Sequence, residues 1–244
     1  MNKSSKQVQG ELIYGIHPVI EVLKAKRRKV ISIYTTRPEP KSWSMIVKLL
    51  PKHVQIQYVA REVLNKMAIT TDHQGVVAWV QPFVLRKKFF DSNNQRYLLM
   101  LDGIQDTRNV GAILRSAYCV GVDGVIMCKK GGAPINASTL KASAGLAEYM
   151  EIYEATSAES AVQLLKDAGY TIYLATLGGE NAAHSTYQEP LCLVIGNEAV
   201  GISKSILKSG KQITLSQRIP DISYNASVAA GILLFLIGTQ NNKI

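Results

Sequence analysis

A chain that ends on a wholly apolar helix must build its core around that helix. Residues 213–237 read ITLSQRIPDISYNASVAAGILLFLI, which is a short β-like run, a polar loop broken by proline, and then an apolar helix. Asn225 stands just before the apolar run, where an amide side chain caps a helix start. The helix is apolar nearly all round, so burial is expected. It is too short to cross a bilayer, which takes roughly 20 apolar residues. A loop of Ser, Asp, Tyr and Asn pinned between a strand and such a helix suits a binding or catalytic site.

The chain has 244 residues, 47% of them apolar, enough for one or two domains with a sizeable core. Residues 1–10, MNKSSKQVQG, are polar and read as a flexible tail rather than a targeting segment. Cys119, Cys128 and Cys192 lie on apolar runs, are odd in number and form no CxxC. They read as reduced core residues of a cytoplasmic protein. The four histidines are scattered, so no metal site is expected.

Charge divides the chain. Residues 1–96 carry 17 Lys and Arg against 6 Asp and Glu, whereas residues 97–244 carry 11 against 12. The asymmetry points to a nucleic-acid-binding module joined to a near-neutral one. The densest basic run is KAKRRK at residues 24–29, a candidate phosphate-contacting patch that includes Lys26, Arg27, Arg28 and Lys29. Helix and strand patterns alternate over residues 11–81, as in a small α/β domain. Residues 82–96, PFVLRKKFFDSNNQR, read as a linker whose Phe83, Phe89 and Phe90 either pack on one of the two domains, the favoured reading, or stack on bases. A second α/β domain fills residues 97–244. Its alternation predicts a parallel sheet covered on both faces, with ligands beyond the carboxyl ends of the strands. That singles out three loops: residues 103–109, 176–180 and 196–201.

The third loop, LVIGNEAVGIS, has the glycine spacing of a P-loop, but Ile202 stands where lysine is required and Glu198 would repel phosphate. No GxGxxG follows a strand, which argues against a dinucleotide. The glycines offer close backbone approach to a ligand that has no phosphate requirement.

Three ordered motifs then carry a resemblance. DTRNVGAILRSA after Asp102-Gly103, LVIGNEAVGIS, and IPDISYNASVAAGI resemble the three motifs of the SpoU/TrmH branch of the SPOUT methyltransferases. YGIHPVIEVL looks like the opening of the RNA substrate-binding domain that often precedes them. The resemblance covers residues 11–240. One departure stands in the third motif, where the family has serine-leucine-asparagine and this chain has Ser223-Tyr224-Asn225.

The resemblance implies an enzyme that uses S-adenosylmethionine to methylate a ribose 2′-hydroxyl of RNA. The leading acceptor is a guanosine of large-subunit ribosomal RNA. A transfer RNA methyltransferase and a catalytically idle RNA-binding or ribosome-assembly protein are the alternatives. It also implies a trefoil knot in the second domain and a homodimer. Catalytic roles fall on Asn109, Arg115, Glu198, Ser223 and Asn225. Arginine is a permanent cation suited to gripping a target phosphate. The donor is expected on Thr176, Leu177, Gly178, Ile195, Gly196, Asn197, Gly201, Leu215, Tyr224, Asn225 and Ser227. Arg108 joins the basic run as an RNA contact.

Overall fold

The computed structural model describes residues 10–219 and 222–244. The expected tail, apart from Gly10, and Pro220 and Asp221 of the third motif lie outside the described residues. Two compact units divide the chain. One takes the chain up to Val84 together with Ile135–Glu148, and the other holds Leu85–Pro134 with Tyr149–Ile244.

The first unit contains β1 (Glu11–Tyr14), α1 (Ile16–Ala25), β2 (Val30–Thr35), α2 (Trp43–Leu49), β3 (Gln55–Tyr58), α3 (Arg61–Ala68) and β4 (Val76–Val80). Its sheet runs β1-β4-β2-β3, with β2 and β3 parallel and the other pairs antiparallel. Ile13, Ile33, Ala78 and Val80 are buried, and so are Val19, Ile20 and Val22 of α1. Strand β1 is absent from the sequence pattern, because ELIY does not alternate between apolar and polar residues.

The second unit contains β5 (Tyr97–Asp102), α4 (Thr107–Cys119), β6 (Gly124–Cys128), β7 (Ile152–Ala155), α6 (Ala158–Asp167), β8 (Thr171–Asn181), β9 (Leu191–Gly196), β10 (Lys211–Thr214) and α7 (Ala226–Gln240). One further helix, α5 (Ala137–Ala142), belongs to the first unit. Every pairing in the six-stranded sheet is parallel, in the order β10-β8-β9-β5-β6-β7. The expected parallel sheet is thus present, and β7 is an addition to it. The central strands are apolar throughout because helices cover both faces. Ala161 and Leu165 of α6 join Leu98, Met100, Ile126 and Val194 in one core layer. On α7, Leu233 and Leu234 are buried, and the Leu234 carbonyl accepts a 3.2 Å hydrogen bond from the Tyr97 hydroxyl.

The chain steps outward from β5 through β6 to β7, then returns to lay β9, β8 and β10 on the other side. The reversal between β5 and β9 opens a crevice at their carboxyl ends. Strand β8 adds an irregularity. Gln212 of β10 pairs with Leu174, yet the next residue, Ile213, pairs with Glu180. Residues 175–179 are therefore looped out of the ladder at the same end of the sheet.

Two expectations need correction. Helix α7 is not buried all round: Ala230, Leu233, Leu234, Ile237 and Gly238 are buried, but Val228 is 49% exposed, Ile232 38% and Phe235 57%. Only one flank packs within the chain, mainly against α4. Cys119, expected in the core, is exposed at the last turn of α4, while Cys128 and Cys192 are buried. Burial pushes the Cys128 thiol up to about 12.

Candidate active site

Four chain segments of the second unit meet at the carboxyl ends of its strands. Helix α4 begins at Thr107, because Asp106 is its cap, accepting from the Arg108 amide. That puts Asn109 inside the first turn with its side chain free of capping duty. Its Nδ2 donates to Glu198 Oε1 at 2.8 Å, and its Oδ1 accepts from Asn225 Nδ2 at 3.3 Å. Asn225 in turn caps α7, its Oδ1 accepting from the Ser227 amide at 2.9 Å and the Ser227 hydroxyl at 2.6 Å. Three side chains expected in catalysis, one from each motif, thus form a single hydrogen-bonded row.

Glu198 is carried by a tight loop. Asn197 and Gly201 exchange backbone hydrogen bonds of 3.0 and 2.9 Å. Asn197 Oδ1 accepts from the amides of Ala199 and Val200, and its Nδ2 donates to the Gly103 carbonyl at 2.7 Å. Gly196 is required here for a reason different from the expected one. A Cβ on Gly196 would stand 2.3–2.5 Å from the backbone of Gly201 and Ile202. Its missing side chain makes room for the loop's own return.

A second cluster lies around the loop in β8. Thr214 Oγ1 donates to the Leu177 carbonyl at 3.3 Å, Asn181 Nδ2 to Ser216 Oγ at 2.9 Å, and the Tyr224 hydroxyl to the Ser216 carbonyl at 3.4 Å. Thr176 Oγ1 lies 3.4 Å from Gln212 Oε1. Leu177 is exposed, and nothing stands within 4 Å of where a Gly178 Cβ would be. Tyr224 belongs to this cluster and Asn225 to the first, so adjacent residues join the two. Ile195 is buried in β9, and Leu215 follows the end of β10.

Arg115 and Ser223 are exposed and stand outside the hydrogen-bonded row. Among the described residues no group of three or more His, Cys, Asp and Glu is placed to hold a metal ion. Sequence reasoning overlooks Asp102 and Ser203, which tie the loop to β5. The available signal is a lone carboxylate closing an otherwise apolar, buried strand.

In the first unit, the basic run splits. Lys26 and Lys29 are exposed, and Arg27 donates to the Glu148 carbonyl at 3.3 Å. Arg28 contradicts the expected phosphate contact: it is 5% exposed and its guanidinium is already engaged. It pairs with Glu148 through Nε and Nη2, with Glu11 at 2.9 Å and with the Gln81 carbonyl at 3.0 Å. Burial raises the Glu148 carboxyl above its ordinary range against the opposing pull of Arg28. A guanidinium committed to two carboxylates has no free edge for RNA.

Comparison with known proteins follows the same lines. The family described as SpoU rRNA Methylase matches residues 96–235, and the one described as RNA 2′-O ribose methyltransferase substrate binding matches residues 12–84. The 23S rRNA (guanosine-2′-O-)-methyltransferase RlmB of Vibrio cholerae is 31% identical over 93% of this chain and 96% of its own length. Among solved structures, an RNA 2′-O ribose methyltransferase superposes with TM-score 0.84 at 19% identity, over 99% of this chain and 93% of that one. The SpoU methyltransferase AviRb of Streptomyces viridochromogenes, in complex with AdoMet, gives TM-score 0.81 at 18% identity over 99% and 94%.

Proposed function

Because this chain belongs to the SpoU rRNA methylase family, we propose that it methylates a ribose 2′-hydroxyl of RNA with S-adenosylmethionine as donor. The leading acceptor is a guanosine of large-subunit ribosomal RNA, the substrate named for its RlmB relatives. The observation that carries the reading is the row Glu198–Asn109–Asn225, which joins all three motifs at the sheet's ligand-binding end.

The residues fit the donor. The looped-out 175–179 segment leaves open space at Gly178, and Gln217 Oε1 is buried without a partner among the described residues. Both suit a ligand recognised by backbone groups and amides rather than by cations. When bound, S-adenosylmethionine supplies an electrophilic methyl on a sulfonium. The chain's share is positioning, because in-line transfer demands alignment. Thr176–Gly178, Ile195–Asn197, Gly201, Leu215, Tyr224, Asn225 and Ser227 hold the donor. Asn109 spends its amide on Glu198 and Asn225, so the row is rigid before the acceptor arrives. Glu198 Oε1 accepts from Asn109, which leaves Oε2 to take a hydrogen bond from the acceptor hydroxyl and receive its proton. Arg115, on the exposed side of α4, grips the target phosphate, and the Ser223 hydroxyl orders the acceptor ribose.

Arg108, Lys26, Arg27 and Lys29 serve as backbone contacts for RNA, with residues 11–81 as the RNA substrate-binding domain, 82–96 as the linker and 97–244 as the methyltransferase domain. The exposed apolar flank of α7 is the contact of a homodimer, and the methyltransferase domain carries the trefoil knot. Among the described residues no helix is long and apolar enough to cross a membrane. The ribosomal RNA substrate itself is what assigns the enzyme to the cytoplasm. The test is transfer of labelled methyl to ribosomal and transfer RNA, with mapping of the 2′-O-methylated nucleotide. Transfer to tRNA alone reassigns the acceptor. Donor binding without transfer to any RNA favours an idle RNA-binding protein.

A further inference from the structure

Asp102 ends β5 and is only 5% exposed, on a strand otherwise wholly apolar. A buried carboxylate persists only when its lone pairs are used. Both oxygens of Asp102 are spent on one residue. Oδ2 accepts from the Ser203 amide at 2.7 Å, and Oδ1 accepts from the Ser203 hydroxyl at 3.0 Å. Charged acceptors of this kind hold roughly twice as strongly as neutral ones.

Ser203 lies just past the loop that carries Glu198. The loop's other limb is held to the same place, because Asn197 Nδ2 donates to the carbonyl of Gly103, the residue after Asp102. Both limbs are thus moored to the exit of one central strand. Between the moorings the loop is closed on itself by the Asn197–Gly201 pair. Its apex is held by Asn197 Oδ1, which accepts from the Ala199 and Val200 amides, and Glu198 there meets Asn109 at 2.8 Å.

We propose that Asp102 and Ser203 are positioning residues, which fix the 196–203 loop so that Glu198 stays in register with Asn109 and Asn225. Neither touches the reacting atoms. Their effect passes through the loop to Glu198. The inference rests on the functional reading given above for Glu198, while the mooring itself is a matter of loop mechanics.

The test uses the full chain with three substitutions. Ser203→Ala removes the hydroxyl bond and keeps the amide one. Ser203→Thr restores the hydroxyl. Glu198→Gln keeps the shape of the loop apex. Amide hydrogen exchange at Ala199, Val200 and Gly201 reads the loop directly. Ser203→Ala should raise it about tenfold, the effect of removing roughly one charge-assisted hydrogen bond, and Ser203→Thr should return it to the wild-type rate. In methyl transfer, Ser203→Ala should lower kcat with the KM for RNA unchanged. That loss should vanish when Glu198→Gln is already present, since coupled sites are non-additive. Unchanged exchange in Ser203→Ala overturns the mooring. Faster exchange with a kcat loss that adds to that of Glu198→Gln overturns the route through Glu198. Full activity in Glu198→Gln alone overturns the role given to Glu198, and the exchange measurement still decides the mooring.

Discussion

Single residues in this chain are committed by their neighbours in ways their types do not announce. Gly196 suggests close ligand approach, but the atoms that crowd it are those of Gly201 and Ile202. Gly196→Ala should therefore destabilise the folded chain itself, by about 1–3 kcal/mol, because backbone cannot move aside as a side chain does. Thermal unfolding without donor checks this. An unchanged Tm with weakened donor binding would return Gly196 to a direct role. Arg28 looks like a surface cation within KAKRRK, yet it neutralises Glu148 in the interior. Arg28→Ala strands that carboxylate and should cost about 3–5 kcal/mol. The cost depends on pH. Burial already lifts Glu148, and without Arg28 its folded value rises further. A raised folded value favours the protonated form, so stability is retained in acid and lost as pH climbs through the carboxylate range. Denaturant midpoints of wild type and variant should converge in acid and diverge toward neutrality. Equal separation at both ends would show that Glu148 is not the group left unpaired.

Elements are legible where periodicity has length to work with. Strand β9, Leu191–Gly196, is legible because its apolar run ends on the glycine loop LVIGNEAVGIS. Helix α6 begins at Ala158 on a Ser157–Ser160 capping box, a start that apolar periodicity alone does not mark. Strands β1 and β7 are not read from the sequence because ELIY and IYEA do not alternate between apolar and polar residues. The looped-out part of β8, residues 175–179, is legible as the loop expected at 176–180, but the return of Glu180 to the ladder is not, since register is decided by the partner strand and not by local sequence. Helix α7 shows the converse limit: uniform apolarity cannot say which flank packs inside the chain. If Val228, Ile232 and Phe235 form the subunit contact, Phe235→Glu should give a folded monomer. Sedimentation at micromolar concentration reads this, with circular dichroism as the folding control. A Phe235→Glu dimer would move the contact elsewhere.

At the scale of the molecule, charge asymmetry and three ordered motifs make the division of labour legible. What no pattern shows is that Ile135–Glu148, sequence from within the later domain, packs with the first unit. If the basic run contacts RNA as proposed, then with Arg28 internal that contact falls on its exposed members, Lys26, Arg27 and Lys29 among them. Lys26→Ala with Lys29→Ala in the full chain should weaken RNA binding uniformly across sequences. The salt slope should flatten by about 0.7 for each single-strand phosphate that is no longer neutralised. Titrations at several salt concentrations measure both, and an unchanged slope would acquit these lysines. The chain crosses between its units three times, after Val84, after Pro134 and after Glu148. A protease that cuts once at the first crossing would leave two fragments, with the longer one still owning a piece of the shorter one's fold. Such fragments should copurify until denatured, and the first 84 residues expressed alone should lack α5 and Glu148, one of the two carboxylates that pair with Arg28. Gene fission at that point would yield a dependent pair, not two modules.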